Sequence, residues 1–420
     1  MVKLRISREF NPREVLSSFT IALILSAQYW VTIAESYLNL GGGTFTFIMT
    51  IILVLGIASF LGDPVAVVSR KFFLLLALVL TAYLLTCIFA GKRSNLLLTD
   101  FIGFCLLPII CGGMIRPDYK KVLSYTMYFL CAGIPVFEKL FAKGNVGSAY
   151  DAVSMGTAYA LLPVICAGII HFLFYKKEST PIEKFLYVVN IIYIISFVLR
   201  SYRGALVSLI VTLMIGWLFS RQGKPIKKKT VMIGLAVLVL LTLFFANSRS
   251  IFSLITSFVS KHNIKIAFID KMRFLAVGND ISHGRTEIWA VAFKKFLQRP
   301  IFGHGMATFQ YYEGIVFPHN FILQFLYDGG IVLAVPLLYI LVSELLRAVK
   351  STRYSESEKF VFIILIAGTS IPRALVSAES WRLMIFWLLM GTLANQKRAK
   401  NLEKIGKGQI LVDGETGFET

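Results

Sequence analysis

The chain has 420 residues, of which 56% are hydrophobic and only 16% are charged. Soluble globular domains carry about 25% charged residues, so this composition excludes an ordinary soluble protein. Long apolar runs, such as residues 72–90, approach the roughly 20 residues that cross a bilayer as a helix. No run shows the strict alternation of a membrane β-barrel strand. The sequence therefore predicts an all-α, polytopic membrane protein.

Membrane topology explains where the basic residues lie in the sequence. The formal charge of +20 comes from 43 Lys and Arg against 23 Asp and Glu, which in a soluble protein would suggest nucleic acid. Here these residues cluster at the ends of apolar runs, as the enrichment of Lys and Arg in cytoplasmic loops requires. We therefore predict no nucleic-acid partner.

About twelve spans are predicted in chain order. Assigning the connections rich in Lys and Arg to the cytoplasm places both termini there as well. The short connection with Lys92 and Arg93 is the exception, since it falls on the outer side. The predicted spans lie near residues 15–34, 44–61, 72–90, 96–113, 122–138, 153–175, 185–200, 204–220, 230–247, 320–346, 360–378 and 381–396.

One predicted outer connection is far longer than the others. It divides the chain into a nine-span bundle (1–247), an extracytoplasmic loop (248–319), three further spans (320–396) and a cytoplasmic tail (397–420). Loops of this length are usually functional. Within it, apolar residues recur at helical spacing over residues 285–299, which predicts an amphipathic helix along the membrane surface or across the mouth of the bundle, with Thr286 as N-cap and Pro300 after its end. Residues 251–269 predict a second such helix, less clearly.

Several arginines are expected on the outer face, where topology does not favour them. A guanidinium group is always charged and presents a planar fork of donors that suits phosphate. Together they would form a site for an anionic group; alternatively, each side chain merely reaches from a span end to the interface. They are Arg200 and Arg203 in one turn, Arg285 at the start of the amphipathic helix, and Arg373 and Arg382 around the last outer turn.

His319 precedes an apolar span at the predicted outer boundary. A neutral imidazole there can accept a proton from a sugar hydroxyl as a general base. The alternative is a residue at a helix start beside the potential cap Asn320. His283 and His304 share the loop, but no carboxylate or cysteine completes a recognisable ligand pattern, so no metal site is predicted.

Other polar residues give weaker signals. Asp100 lies inside an apolar span and is costly unless it is paired, although the sequence does not name its partner. Asp151 and Glu313 are outer carboxylates suited to orienting a sugar or an arginine. Gly303 and Gly305 form a GxG pattern without a preceding strand, so a turn is a better interpretation than a nucleotide-binding loop.

Two segments resemble the bacterial O-antigen ligase and polysaccharide polymerase family. The run HGRTEIWAVAFKKFLQRPIFGHGMATF (283–309) shows the family's arginine, Trp-containing helix and Pro-x-x-Gly-x-Gly turn, and PHNFILQFLYDGGIV (318–332) shows the His-Asn pair and Gly pair. The turn RSYRGALVSLIVTL (200–213) is similar to the other hallmark, an arginine that opens a span. Tyr202 stands inside a corner more often written Ser-Arg-Gly, so Arg203 is the matching arginine.

The resemblance implies a metal-independent glycosyltransferase of the bacterial inner membrane, with no cofactor. Its donor is an oligosaccharide on undecaprenyl diphosphate and its acceptor is a saccharide; membrane lipids, a flippase and chain-length regulators are further expected partners. Arg203 and Arg285 would hold the diphosphate, with Arg200 and Arg373 as added candidates. His319 would activate the acceptor hydroxyl.

Three functions stay open at this point. A polymerase that joins repeat units is favoured, because nothing singles out a lipid A core acceptor. A ligase that transfers finished polymer is the alternative within the family. A twelve-span transporter of lipid-linked sugar is the alternative from another class, although no duplication of the kind common in transporters is visible.

Overall fold

The computed structural model describes residues 11–38, 43–62, 68–141, 155–200, 203–220, 285–350 and 358–395. Within these ranges the regular secondary structure is helical, which confirms the predicted all-α class. The principal helices are α1 (Pro12–Leu38), α2 (Gly43–Gly62), α3 (Arg70–Phe89), α4 (Leu98–Met114), α5 (Tyr119–Tyr128), α6 (Met155–Tyr175), α7 (Pro181–Arg200), α8 (Arg203–Ser220), α9 (Arg285–Gln298), α10 (Phe309–Glu313), α11 (Phe321–Lys350), α12 (Glu358–Val376) and α13 (Met384–Ala394).

Seven of the described helices are long and apolar enough to cross a membrane: α1, α2, α3, α6, α7, α11 and α12. The helices α4, α8 and α13 are apolar but shorter. These ten coincide with ten of the predicted spans. The predicted span 230–247 and the second amphipathic stretch, 251–269, lie outside the described residues, so the count of twelve stays a prediction.

The predicted span 122–138 is not one continuous helix. After α5 the chain forms only short pieces, Leu130–Gly133, Ile134–Val136 and Phe137–Leu140. Pro135 has no amide hydrogen to donate and its ring disfavours a helical turn before it. The apolar pattern predicted one continuous helix here because it did not take account of this proline.

Tyrosine hydroxyls bond to the carbonyl groups at this break. Tyr29 donates to the carbonyl of Phe129 at 3.2 Å, and Tyr193 donates to that of Leu130 at 3.2 Å. Backbone polar groups at membrane depth must find partners inside the protein. The two buried tyrosines therefore stabilise an irregular segment that lipid could not accommodate.

The described parts of regions 1–247 and 320–396 share one apolar core. Helix α12 packs against α8, and α13 packs against α4. Buried residues of the core run from Ile21 in α1 to Ala394 in α13. The N-terminal and C-terminal helices thus form a single bundle.

Basic residues of the predicted inner connections meet at one end of this bundle. Lys71 pairs with Glu344, and Lys121 pairs with Glu14 at 2.7 Å. Arg373 in the last turn of α12 and Arg382 in the turn before α13 lie towards the opposite end, where Arg382 bonds to Asp100 at the start of α4. The two groups thus lie at different ends of the bundle, and which end faces the cytoplasm stays a prediction.

The amphipathic helix is present as α9. Its Ala292 is fully buried in a small cluster with Phe309 and Tyr327. Phe293 and Leu297, predicted on the same apolar face, are 49% and 59% exposed. One part of the face therefore packs on α11 and the other is open, as in a helix that lies on a membrane surface. Because α9 begins at Arg285, the predicted cap Thr286 lies within its first turn.

The turn after α9 docks onto a break in α11. Gly330 has φ 60° and ψ −160°, which interrupts the helix. The amide of Ile331 donates to the carbonyl of Pro300 at 2.8 Å, and the amide of His304 donates to that of Tyr327 at 2.8 Å. At Gly303, with φ 67°, a Cβ would come within 2.5 Å of the Asp328 backbone. The GxG pattern therefore serves a close backbone approach in a turn, as predicted.

Candidate functional site

Elements distant in sequence meet around the ring of Tyr159, which is buried in α6. The guanidinium carbon of Arg373 lies 4.4 Å from the centre of that ring. A Cβ on Gly204 would collide with the Tyr159 hydroxyl, so the start of α8, immediately after Arg203, packs directly on the tyrosine. The charge of Arg285 also acts on Tyr159. Tyr159 thus contacts the start of α8 and the end of α12, and it lies within electrostatic range of Arg285 at the start of α9.

Arg373 lacks an acidic partner within the described residues. Its Nη1 and Nη2 atoms each donate to Oε1 of Gln28 at 3.3 Å. Its Nε atom is buried and bonds to nothing in the described part of the chain. Arg373, Gln28 and Tyr159 line a cavity of about 280 Å³. A half-buried guanidinium beside a cavity and without a carboxylate among the described residues is poised for an anion.

Arg285 is a second cation of this kind. It opens α9, is half-buried and forms no ion pair with any described residue. Burial lowers the pKa of Arg285, and the Tyr159 phenol opposes that shift. One turn further along α9, the indole Nε1 of Trp289 is buried, and the described residues give it no acceptor. The start of α9 therefore carries donors that the described protein does not fully use.

His319 lies within electrostatic range of Arg285. Burial lowers the pKa of His319 to about 4, and the charge of Arg285 is the second cause. The imidazole is therefore neutral at neutral pH and able to accept a proton. Its ring centre is 4.2 Å from that of Phe317, and its backbone has φ 58°, a strained conformation for a residue with a side chain. Strain of this kind is typical of functional positions.

Asn320, next to His319, caps the helix, as the alternative interpretation of His319 as a helix-start residue assumes. Oδ1 of Asn320 accepts hydrogen bonds from the amides of Ile322 at 3.0 Å and Leu323 at 3.2 Å, which caps α11. Because Asn320 performs this role, the imidazole of His319 is not needed for it. Nδ1 of His319 is buried and has no hydrogen-bond partner among the described residues.

Arg382 differs from the other arginines because two carboxylates neutralise it. It bonds to Oδ2 of Asp100 at 2.9 Å and to Oε2 of Glu379 at 2.7 Å. It also donates to the carbonyl of Asn95 at 2.6 Å. The unknown partner of Asp100 is therefore Arg382, and the pair joins the start of α4 to the turn before α13. This arrangement indicates a structural role.

Of the turn that carries Arg200 and Arg203, the structure describes only the backbone of these two residues. Arg200 ends α7 and Arg203 begins α8. The side chains of both lie outside the described part of the structure. Their predicted contacts with a diphosphate therefore stay predictions, although the contact of Gly204 with Tyr159 brings the start of α8 to the site.

The remaining candidates take other roles or are not described. Glu313 pairs with Lys295 at 3.0 Å. His304 stacks on Tyr327 with ring centres 4.6 Å apart, and its Nε2 bonds to the carbonyl of Lys295 at 2.9 Å. Asp151 and His283 lie outside the described residues. In the ranges that the structure covers, no three His, Cys, Asp or Glu side chains form a cluster able to hold a metal ion.

Tyr159 and Gln28 were not predicted from the sequence. An amide inside the first predicted span was an available signal for Gln28, because polar groups at membrane depth need partners. Tyr159 offered no such signal, since the chain has 17 tyrosines and this one stands in an apolar span. Its importance lies in long-range packing.

The fold and this site define an all-α membrane protein with arginine and histidine side chains gathered at one end of its helix bundle. Residues 188–338 match the family model described as O-antigen ligase. This match confirms the resemblance carried by the arginine, tryptophan and histidine motifs: over these residues the chain is similar to the O-antigen ligase family. No curated protein matches the chain.

Proposed function

We propose that the chain is a membrane glycosyltransferase that polymerises oligosaccharide repeat units carried on undecaprenyl diphosphate. The family match supports a glycosyltransferase-type membrane enzyme. The observation that carries the proposal is the convergence of Arg285, Arg373 and the start of α8 on Tyr159, with His319 in electrostatic range. The reaction is assigned to the outer face of the bacterial inner membrane.

The proposed reaction exchanges one bond at the anomeric carbon of the donor sugar. The acceptor hydroxyl oxygen forms a bond to that carbon, and the bond from the carbon to the diphosphate oxygen breaks. The diphosphate leaves with the bonding electrons, while the hydroxyl proton passes to His319. Fixed guanidinium groups stabilise the charge that develops on the leaving group.

The two unpaired arginines suit this leaving group. A diphosphate carries several negative charges, and Arg285 and Arg373 have no carboxylate partners among the described residues to compete with it. Their forks of donors match phosphate oxygens, and partial burial strengthens the attraction. We assign the charge neutralisation to these arginines, and propose that Arg203 and Arg200 extend the same site. No metal or other cofactor is included in the proposal.

Binding of the donor would also activate the base. Burial and the charge of Arg285 hold the pKa of His319 at about 4, which makes the imidazole a weak base. A diphosphate on Arg285 offsets the positive charge that contributes to this low pKa. The pKa of His319 therefore rises when the donor is bound, and proton acceptance becomes more favourable at that moment.

The second candidate is a ligase that transfers finished polymer to lipid A core or another acceptor. It is favoured by the family model itself, whose description is O-antigen ligase. Both reactions use the same donor chemistry and differ in the acceptor. A flippase would supply the donor in either case, and chain-length regulators would end polymer growth in the first.

Reconstitution in vesicles tests the proposed function. Purified protein is supplied with one lipid-diphosphate oligosaccharide, and the products are separated by length. Growth of the lipid-linked chain supports the polymerase. Transfer only to an added acceptor of another kind makes the chain a ligase, and movement of the lipid across the vesicle without new glycosidic bonds makes it a transporter.

A further inference from the structure

A second and larger cavity lies away from the proposed transferase site. Its volume is about 850 Å³, and it is enclosed by α3, the turn after α9 and the broken part of α11. Tyr159, Arg285, Arg373 and His319 are not among its lining residues. The proposed diphosphate chemistry therefore leaves this cavity unexplained.

The walls of this cavity are mainly hydrocarbon and open towards the lipid. Two of its three sides, α3 and α11, are candidate membrane spans. Phe89 at the end of α3 is 77% exposed, Phe302 in the turn is 70% exposed and Val332 in α11 is 46% exposed. Exposed apolar side chains on membrane-spanning helices contact acyl chains, so the cavity is accessible from the bilayer.

Two arginines from different segments stand at the same cavity. Arg93 follows the outer end of α3, and Arg299 follows the end of α9; both line the cavity and both are exposed. Arg93 donates to the hydroxyl of Tyr312, another lining residue, at 3.0 Å. Neither arginine forms an ion pair with a described residue. Two cations at the edge of an apolar space match a molecule with an anionic head and a hydrocarbon tail.

The position of Arg93 is also the exception to the topology of the chain. Lys92 and Arg93 occupy a short connection at the end of the bundle where basic residues are otherwise disfavoured. A lysine or arginine at a span end commonly just reaches the interface. That explanation covers Lys92, which does not line the cavity, but not the meeting of Arg93 with Arg299 around one apolar space.

We propose that this cavity binds an anionic glycerophospholipid of the outer leaflet, with its acyl chains between α3 and α11 and its phosphate on Arg93 and Arg299. A phosphodiester headgroup carries a single phosphate charge, which two exposed guanidinium groups neutralise without the buried site that a diphosphate leaving group needs. The bound lipid would support the turn 299–305, which packs on α11. This proposal concerns lipid binding alone and holds whether or not the transferase function is correct.

Native mass spectrometry of the full chain in detergent tests this proposal. The protein is titrated separately with phosphatidylglycerol, phosphatidylcholine and undecaprenyl phosphate, in the absence of any sugar donor. Two variants alter the site: Arg93→Gln combined with Arg299→Gln removes the cations, and Ala77→Trp fills the apolar space. Two variants serve as matched controls: Lys92→Gln removes a neighbouring charge, and Leu84→Trp enlarges an exposed side chain on α3 that does not line the cavity.

We expect one phosphatidylglycerol to bind more tightly than phosphatidylcholine. Each basic residue near an anionic lipid contributes about fivefold in affinity, so the double arginine variant should bind it more than about tenfold more weakly. Ala77→Trp should lose the site, and the two controls should retain it. Equal binding of the two phospholipids, unchanged affinity in both site variants, or tighter binding of undecaprenyl phosphate than of phosphatidylglycerol would overturn the proposal.

Discussion

The guanidinium carbon of Arg373 lies 4.4 Å from the centre of the Tyr159 ring, although more than two hundred residues separate the two in sequence. The face of an aromatic ring attracts a cation without neutralising it. Tyr159 therefore holds a guanidinium in place while its charge stays available to an anion. A carboxylate in the same position would have fixed the side chain and cancelled the charge, as Asp100 and Glu379 do for Arg382.

Two substitutions at Tyr159 distinguish the role of its aromatic ring from the role of its hydroxyl group. Tyr159→Phe keeps the aromatic face and should leave the donor KM within about threefold of wild type, whereas Tyr159→Leu removes a cation–π contact of about 1–2 kcal/mol and should raise that KM about five- to thirtyfold. The measurement is the kinetics of polymer growth in vesicles. Tyr339→Leu is the matched control, because it removes a contact with Lys71 at the other end of the bundle. Equal effects of the two leucine variants would show that the ring has no special role.

Arg373→Gln should weaken donor binding at only a small cost in stability. Loss of charge-assisted hydrogen bonds to a phosphate costs about 1.5–3 kcal/mol, which predicts a rise of about ten- to one-hundredfold in the donor KM. Because no described carboxylate pairs with Arg373, removing its charge leaves no acidic partner unsatisfied, and the free energy of unfolding should fall by no more than about 1–2 kcal/mol, the contribution of its cation–π contact with Tyr159. Arg382→Gln should cost more, about 3 kcal/mol, because Asp100 and Glu379 lose their partner. A lower midpoint in Arg373→Gln than in Arg382→Gln would contradict this assignment.

The pH dependence of the reaction should report the low pKa of His319. The imidazole must be neutral to accept a proton, so kcat/KM should be constant at neutral pH and fall only as the pH decreases through about 4. A positive charge disfavours the protonated form, so Arg285→Gln should raise the pKa of His319 towards the ordinary value near 6.5. Carbon-13 NMR of histidine-labelled protein measures this pKa directly. A wild-type pKa near 6.5, or no rise in the variant, would refute the electrostatic link between the two residues.

The break in α11 should not tolerate a side chain at Gly330. A Cβ there would lie 2.5 Å from the carbonyl oxygen of Pro300, at a backbone φ of 60°. Gly330→Ala should therefore separate the turn from α11 and cost more than about 3 kcal/mol, since the clash adds to a strain of about 1 kcal/mol. Gly314→Ala is the control, because its φ is 68° but nothing lies within 4 Å of a Cβ. The thermal midpoints of the two variants should differ clearly, and similar values would mean that the close approach is unimportant.

Sequence patterns predicted those features that depend on local periodicity. Apolar runs located ten of the described helices, and the 3.6-residue spacing of Ile288 and Ala292 located α9. The Lys and Arg residues at the ends of these runs predicted on which side of the membrane each connection lies. The segment around Pro135 shows the limit of this approach, because hydrophobicity indicates burial in the membrane but not whether the backbone is helical.

The candidate site depends largely on contacts between residues that are far apart in the sequence. His319 and Arg285 were predicted from the family motif, and the structure brings them into electrostatic range. The pairing of Asp100 with Arg382 spans 282 residues and is invisible to any local pattern. The same is true of Tyr159, whose role comes from contacts with α8 and α12. Which of several similar arginines is neutralised can be decided only from the three-dimensional packing.

The most direct test measures polymer growth by Arg285→Gln and His319→Ala in vesicles that contain the lipid-diphosphate oligosaccharide. We expect both variants to insert normally but to lose at least about 99% of the elongation rate, since general-base catalysis alone contributes about a hundredfold or more. Lys294→Gln, an exposed cation on the same helix as Arg285, should elongate the polymer normally. Normal chain lengths from either site variant would contradict the central claim that this arginine and this imidazole carry the transfer.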